Sequence, residues 1–269
     1  MKPLLLVKLG GSVITDKSKP FTPRMDVIER LAREIHEARQ ERDFNLIVGH
    51  GGGSFPHTSA KKYQVHKGYL NEESYKGIAV VQNDAAKLNR IIVDAFLRAG
   101  ENAISVQPSA SALALDGRIK FWNLHIFKEM LDRNLLPVTY GDVGLDLNKM
   151  CCILSTEEIL HYISDNMMPE KVIMAGSVDG VMSADPTKDP NAKLFKEITQ
   201  ENFEEVKKCL SGSYGIDVTG GMVQKVQKAL EMAKRGFVIE IINVLKEGYL
   251  KRALLGEEGL GTVIRWKKE

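Results

Sequence analysis

Short, unbroken apolar runs recur along this chain, separated by longer stretches whose apolar residues repeat at helical spacing. The runs are LLLVKL (4–9), FNLIVG (44–49), AISVQ (103–107), LPVTY (136–140), CCILS (151–155), VIMAG (172–176) and FVIEII (237–242). They are rich in Val, Ile and Leu and mostly do not alternate with polar residues, which is the pattern of strands covered on both faces. One intervening stripe uses Val27, Ile28, Leu31, Ile35 and Ala38, and another uses Val81, Ala85, Leu88, Ile92 and Phe96. A third, within 222–235, aligns Val226, Leu230 and Ala233. Strand–helix alternation of this kind predicts an α/β fold: a three-layer αβα sandwich with a largely parallel central sheet.

Composition narrows the functional classes. The 269 residues are 43% hydrophobic and 27% charged, with a formal net charge of +2. So small an excess of positive charge gives no sign of a nucleic-acid binder, and any anion chemistry must come from a few placed cations. No apolar stretch reaches the ~18 residues of a membrane span. The apolar run in MKPLLLVKLGG is short and interrupted by Lys8, so it reads as a first buried strand rather than a leader. Cys151, Cys152 and Cys209 form no CxxC pair and offer no metal spacing. Sparse, odd cysteines of this kind are expected as small hydrophobes in a cytoplasmic protein. There is no internal repeat. The break most like a subdomain boundary is YGDVGLDLNKM (140–150), and a second loop-rich region is 177–193.

Two glycine-rich turns follow two of the strands: LGGSVITDK after the first and HGGGS after the second. In an open α/β sheet, ligands bind beyond the carboxyl ends of the strands. Bare glycine backbone there lets N–H groups touch an anion, and a following helix adds its positive end. The chain has no Gly-Lys dipeptide and therefore no P-loop, no GxGxxG fingerprint, and no GxSxG elbow to make HGGG a hydrolase oxyanion hole. Ser54 then reads as a helix cap rather than a nucleophile. A third glycine pair lies in DVTGGMVQKVQKAL (217–230), where Asp217 or Thr219 is placed to cap a helix carrying Lys225.

In order, KLGGSVIT, HGGGSFPH, YGDV, SVDGVMSADP, DVTGGMVQK and GTVIR resemble the amino acid kinase superfamily, and within it the isopentenyl phosphate kinases. The resemblance runs from about residue 4 to residue 265. HGGGSF followed by a histidine is its most diagnostic part, shared by fosfomycin kinase. It implies one domain over 1–269, with an acceptor-binding half (about 1–145) and a nucleotide-binding half (about 146–269). It also implies a homodimer built on the amino-terminal half. The implied reaction moves the γ-phosphoryl group of ATP, with Mg²⁺, onto isopentenyl phosphate. Both reactants are anions, and two unit charges ~4 Å apart repel by about 4 kcal/mol at an effective dielectric near 20. Catalysis is then mainly neutralisation and alignment.

By the same resemblance Lys8 reaches the transferring phosphoryl, Lys17 is a second cation, and Lys225 holds the donor phosphates. Gly10, Gly11, Gly52 and Gly53 offer backbone N–H groups. Ser12, Asp179, Gly180, Asp185, Gly220 and Gly221 belong to the nucleotide side. His57 matches the family histidine that binds the acceptor phosphate, as a partly cationic clamp; His50, at the strand end, is positional. A phosphate monoester with a second pKa of about 6 is already a dianion at neutral pH, so no general base is needed. No metal-ligand pair is legible. A helix over 76–96, with Gly77, Ala79, Val80 and Val81 near its start, is expected to wall the hydrocarbon tail.

Three departures from the family pattern stand out: Pro56 before the histidine, Ser177 in SVDG, and ILSTEE (153–158) in place of a Ser-Gly-Asp-Asp run. Thr156 then takes a position beside the acceptor, with a hydroxyl able to donate to it, and Glu157 takes that of an acid orienting the lysines. Two alternatives stay open: a sister kinase for another small phosphate or phosphonate such as fosfomycin, and a nucleotide-binding regulator with weakened turnover.

Overall fold

The computed structural model describes residues 2–184, 189–213 and 221–267, with the backbone alone for 211–213, 221, 222, 224 and 225. In chain order the described strands are β1 (Leu4–Leu9), β2 (Asn45–His50), β3 (Ala103–Ser105), β4 (Leu113–Leu115), β5 (Arg118–Phe121), β6 (Leu136–Tyr140), β7 (Asp142–Asp146), β8 (Met150–Leu154), β9 (Lys171–Gly176), β10 (Glu197–Ile198), β11 (Val238–Asn243) and β12 (Gly261–Ile264). The helices are α1 (Gly11–Ile14), α2 (Met25–Glu41), α3 (Pro56–Tyr63), α4 (Glu73–Arg98), α5 (His125–Asp132), α6 (Thr156–Met167), α7 (Phe203–Ser213), α8 (Gly221–Ala233) and α9 (Tyr249–Leu255).

The main sheet has eight strands in the order β10-β12-β11-β9-β1-β2-β6-β3. Every neighbouring pair is parallel except β11 and β12. Alternation along the strands divides the core into two layers. Leu5, Val7 and Leu9 of β1 and Leu46 and Val48 of β2 pack with Leu31 and Ile35 of α2, Leu88 and Ile92 of α4, and Leu254 of α9. Leu6 and Ile47 point the other way and join Phe127 of α5, Leu160 of α6, Leu210 of α7 and Val226 of α8. This is the expected αβα sandwich, and among the described residues no helix is long and apolar enough to cross a membrane.

A second sheet, β5-β4-β7-β8, departs from the reading of the sequence. CCILS does not enter the parallel sheet; it pairs antiparallel with β7 as β8. The stretch 140–150, expected as a turn-rich break, is itself mostly strand. Its acids, which gave it the look of a loop, satisfy backbone donors instead. Asp146 accepts from the N–H groups of Asp116, Gly117, Asn148 and Lys149, and Asp142 from those of Ser109 and Val143. Burial raises the Asp146 carboxyl, but those four donors outweigh it and hold its pKa at about 2. The β4–β5 turn is Asp116-Gly117, both at positive φ (54° and 85°), a hairpin signal legible in the sequence and missed there.

Glu34 of α2 ties the first helical layer to the far end of the chain. Its carboxylate pairs with Arg30 and accepts the N–H groups of Gly248 (3.0 Å), Leu250 (3.1 Å) and Lys251 (3.3 Å) at the start of α9. Glu34 is 6% exposed. Removing the carboxylate leaves Arg30, which keeps its bond to Val244 O, without its ion-pair partner, and takes the acceptor from one buried and two partly buried amide donors. Glu34→Ala is expected to lower the unfolding free energy by about 3–5 kcal/mol in urea titration. A loss below about 1 kcal/mol would show that this tie is incidental.

Candidate active site

The parallel register brings the ends of three strands level, with Leu9 of β1 opposite His50 of β2 and Ala175 of β9. Both glycine turns therefore leave the sheet side by side, at its carboxyl edge. They meet backbone to backbone. A Cβ on Gly11 would lie 2.7 Å from Gly53 N, and one on Gly51 would lie 2.9 Å from Gly11 N. Gly53 has φ +55°, and a Cβ there would strike Thr15 Oγ1 at 2.2 Å. Thr15 Oγ1 donates to Gly11 O (2.7 Å) and accepts from Ser54 N (2.9 Å), while Ser54 Oγ accepts from Thr22 N (3.1 Å). Ser54 thus bridges two loops and is not the expected cap: α3 starts after Phe55, without a side-chain cap and with Pro56 in its first turn.

Not every glycine amide is available. Gly10 N–H, expected to face a phosphate, donates to Ala175 O at 2.9 Å. Among the described residues, the N–H groups of Gly11, Ser12, Gly52 and Gly53 have no such partner.

Lys8 follows from strand alternation. It lies on the same side of β1 as Leu6, toward α6, and its Nζ is 2.6 Å from Glu157 Oε1. The lysine side chain is only 17% exposed. Ser155 caps α6 by accepting from Glu158 N at 3.1 Å, which sets Glu157 in the first turn beside Lys8. Thr156 corrects an expectation: it is buried, and its hydroxyl donates to His50 O at 2.7 Å rather than standing ready for an acceptor. Its Cγ2 fills the space a Cβ on Gly49 would need, at 2.9 Å. The bulk that replaces a family glycine therefore points into the protein.

The two histidines differ as their places dictate. His57 lies in the first turn of α3 and is exposed. Partial desolvation and then the charge of Lys17 hold its pKa below the usual imidazole value. With no anion to offset Lys17, these effects disfavour the cationic ring in the unliganded protein. His50 is fully buried, and burial pushes its pKa down to about 4 against a weaker pull from the Gly51 carbonyl.

On the β9–β11 side, Asp179 Oδ1 accepts from Asn243 Nδ2 and pairs with Lys246 Nζ, each at 2.8 Å. The Lys246 bond, then that from Asn243, keeps its carboxyl below the usual range. Gly180 (φ +138°) leaves no room for a side chain, since a Cβ would lie 2.5 Å from Thr262 Oγ1. That hydroxyl accepts from Val181 N (2.8 Å) and donates to Phe195 O (2.6 Å). Asn243, Lys246 and Thr262 were not singled out from the sequence; only Thr262 had a signal, in GTVIR. Asp185 and Gly220, with the capping candidates Asp217 and Thr219, lie outside the described residues. Gly221 opens α8 and Lys225 lies in its second turn, the lysine's side chain outside the description. Of the expected tail-wall residues, Gly77 and Val81 are buried, Gly77 against Tyr63, whereas Ala79 is exposed. Gly77 and Val81 hence serve the contact of α4 with its neighbours. No three His, Cys, Asp or Glu side chains among the described residues converge on a metal position.

Unengaged glycine amides at the carboxyl ends of parallel strands, with the tethered Lys8 on the neighbouring strand end, are what an α/β protein that handles phosphoryl groups requires. The amino acid kinase family model matches residues 3–243. The chain is 39% identical to an isopentenyl phosphate kinase of Methanothermobacter thermautotrophicus, covering 98% of this chain and 100% of that one. It is 36% identical to an isopentenyl phosphate kinase of Methanocaldococcus jannaschii over 94% and 96% of the two chains. A crystal structure of an isopentenyl phosphate kinase superposes with a TM-score of 0.82 at 36% identity, over 97% of this chain and 99% of that one. The chain belongs to the amino acid kinase family, in its isopentenyl phosphate kinase branch.

The buried His50 makes stability depend on pH. The unfolded chain binds this proton with a pKa near 6.5 and the folded one near 4, so the contribution is complete above pH 6.5 and is lost as pH falls toward 4. Across that window His50→Gln is expected to lose about 3 kcal/mol less stability than wild type, measured by denaturant titration at each pH. Parallel pH profiles would show that the imidazole is not held neutral by the fold.

Proposed function

We propose that the protein transfers the γ-phosphoryl group of ATP to isopentenyl phosphate, giving isopentenyl diphosphate and ADP. The observation that carries this reading is the placing of His57. It sits four residues beyond the last glycine of the triple-glycine turn, in the first turn of α3, within the field of Lys17. An imidazole and an ammonium group beside unengaged glycine amides suit a phosphate monoester dianion as acceptor. Isopentenyl phosphate meets that requirement and needs no base to become nucleophilic.

The residues then divide the work. Gly52 N–H, with His57, holds the acceptor phosphate, while Gly11, Ser12 and Gly53 N–H face the donor. Lys8, kept in line by Glu157, and Lys17 neutralise charge on the group in transfer. Gly220, Gly221 and Lys225 serve the donor phosphates, and Asp179, Gly180 and Asp185 the nucleotide. The acceptor half extends to about residue 145 and the nucleotide half follows it. Mg²⁺ would reach the site on phosphate oxygens and water. The protein works in the cytoplasm as a homodimer built on the amino-terminal half, where strand β3 is a sheet edge with Ile104 exposed.

An ATP-consumption screen against isopentenyl phosphate, dimethylallyl phosphate, fosfomycin and small carboxylates tests the reaction. Turnover is expected with isopentenyl phosphate. Turnover of fosfomycin with none on isopentenyl phosphate would replace it. Lys8→Ala should lower kcat on the order of 10²–10³ with the fold intact.

His57 gives a pH test with a defined sign. A bound dianion opposes Lys17 and raises the imidazole pKa from its depressed free value, so binding near pH 7 takes up a proton. Acceptor affinity should therefore weaken as pH rises past the pKa of the complex. Calorimetric enthalpies should also vary with the ionisation enthalpy of the buffer. His57→Gln should abolish that buffer dependence and raise the acceptor KM, with ATP affinity almost unchanged. Equal loss of ATP and acceptor affinity would remove His57 from the acceptor site.

A further inference from the structure

His50 has no part in the chemistry described so far, although its ring stands directly before the triple-glycine turn. It is 0% exposed and stacks on Tyr140, with ring centroids 5.5 Å apart at 13°. Its Nδ1 lies 3.1 Å from Gly51 O, and its Nε2 lies 3.1 Å from Asn89 Nδ2. A carbonyl oxygen can only accept, so Nδ1 must carry the proton. Nε2 is then a bare acceptor, and the Asn89 amide nitrogen donates to it. The backbone of the residue is held as firmly, since His50 O accepts from Gly141 N (3.0 Å) and Thr156 Oγ1 (2.7 Å).

The bond to Gly51 O sets the direction of the next amide. The chain has no cis peptide among the described residues, and in a trans peptide the carbonyl oxygen and the following N–H point opposite ways. With Gly51 O drawn onto the buried ring, Gly52 N–H must point away from that ring. That N–H has no partner among the described residues. The 51–52 peptide is flanked by glycine on both sides, where rotation of the peptide plane meets least resistance. If it rotated, a carbonyl oxygen would face the incoming anion in place of a donor.

We propose that His50 is a positioning residue: its Nδ1–H bond to Gly51 O locks the 51–52 peptide so that Gly52 N–H faces the acceptor phosphate, and Asn89 fixes the tautomer. The part concerning the acceptor rests on the reading of the function above; the lock itself does not. Burial keeps the ring neutral near pH 7, so the lock does not open with small changes of pH. A second consequence concerns Thr156. By donating to His50 O it braces the strand end from the opposite layer, which gives the departure from the family glycine a role in the same device.

Two measurements test the proposal. Histidine side-chain ¹⁵N NMR of the wild-type protein at pH 7 should show His50 as the Nδ1–H tautomer, and Asn89→Leu should shift it toward Nε2–H. Kinetics then separate the lock from simple core filling. His50→Leu fills the volume without a donor and should raise the KM for isopentenyl phosphate about tenfold, the loss of one oriented hydrogen bond, with the KM for ATP within twofold. His50→Asn, whose amide nitrogen can take the place of Nδ1, should recover most of that affinity. An Nε2–H tautomer in wild type would overturn the lock. So would equal KM changes for both substrates, or His50→Asn being no better than His50→Leu in folded protein. Absence of wild-type turnover on isopentenyl phosphate would overturn the proposed reaction instead, while the tautomer in the same sample would still decide the lock.

Discussion

At the carboxyl ends of β1 and β2 the backbones of Gly11 and Gly53 come so close that a methyl group on Gly11 would sit 2.7 Å from Gly53 N. No side chain fits between them, and the contact works only because both strands end at the same level in a parallel register. It joins the turn expected to face the donor to the turn expected to face the acceptor. Transfer between two bound anions depends on holding their near ends in line, at a separation that the protein and not the charges must set. Thr15, which donates to Gly11 O and accepts from Ser54 N, fastens the same two turns with a side chain.

Electrostatics follow from that frame. Glu157 offsets the charge of Lys8 in the unliganded protein and restricts where its ammonium group can lie, at 2.6 Å from the carboxylate. A positioned but partly compensated lysine loses little by waiting without its anion and needs little rearrangement when one arrives. His57 is arranged in a complementary way. Desolvation and then Lys17 disfavour its charged form in the unliganded protein, and on the proposed reading a bound anion would restore it. On the proposed reading the two groups answer the repulsion problem differently, one by a standing counter-ion and one by a proton taken up on binding.

The parallel sheet and its helical layers were legible because strands such as LLLVKL and VIMAG are nearly unbroken apolar runs, LLLVKL broken only by Lys8, and the stripes of α2 and α4 keep helical spacing. The second sheet was not. Its strands are short, and β7 carries Asp142 and Asp146, whose composition signals a loop while their carboxylates accept backbone N–H bonds. Within the site, Lys8 was legible as a charge inside an apolar run, and His50 as a strand-end residue. The direction of Thr156 and the engagement of Gly10 N–H were not, because both depend on partners far away in sequence, His50 O and Ala175 O. Ser54 misled for the same reason. A serine before a helix has the composition of a cap, and only the crossing of another loop makes it a bridge.

The contact between the glycine turns is tested most directly by the kcat/KM of Gly11→Ala for phosphorylation of isopentenyl phosphate. Gly11 lies at the start of α1, where alanine is favoured over glycine by local propensity, so any harm must come from the approach of Gly53. Separation of the turns is expected to lower kcat/KM by at least about a hundredfold, as small displacements of reacting groups do, while circular dichroism stays that of the native fold. A Gly11→Ala protein as active as wild type would contradict the account, because the two backbones would then not need to touch.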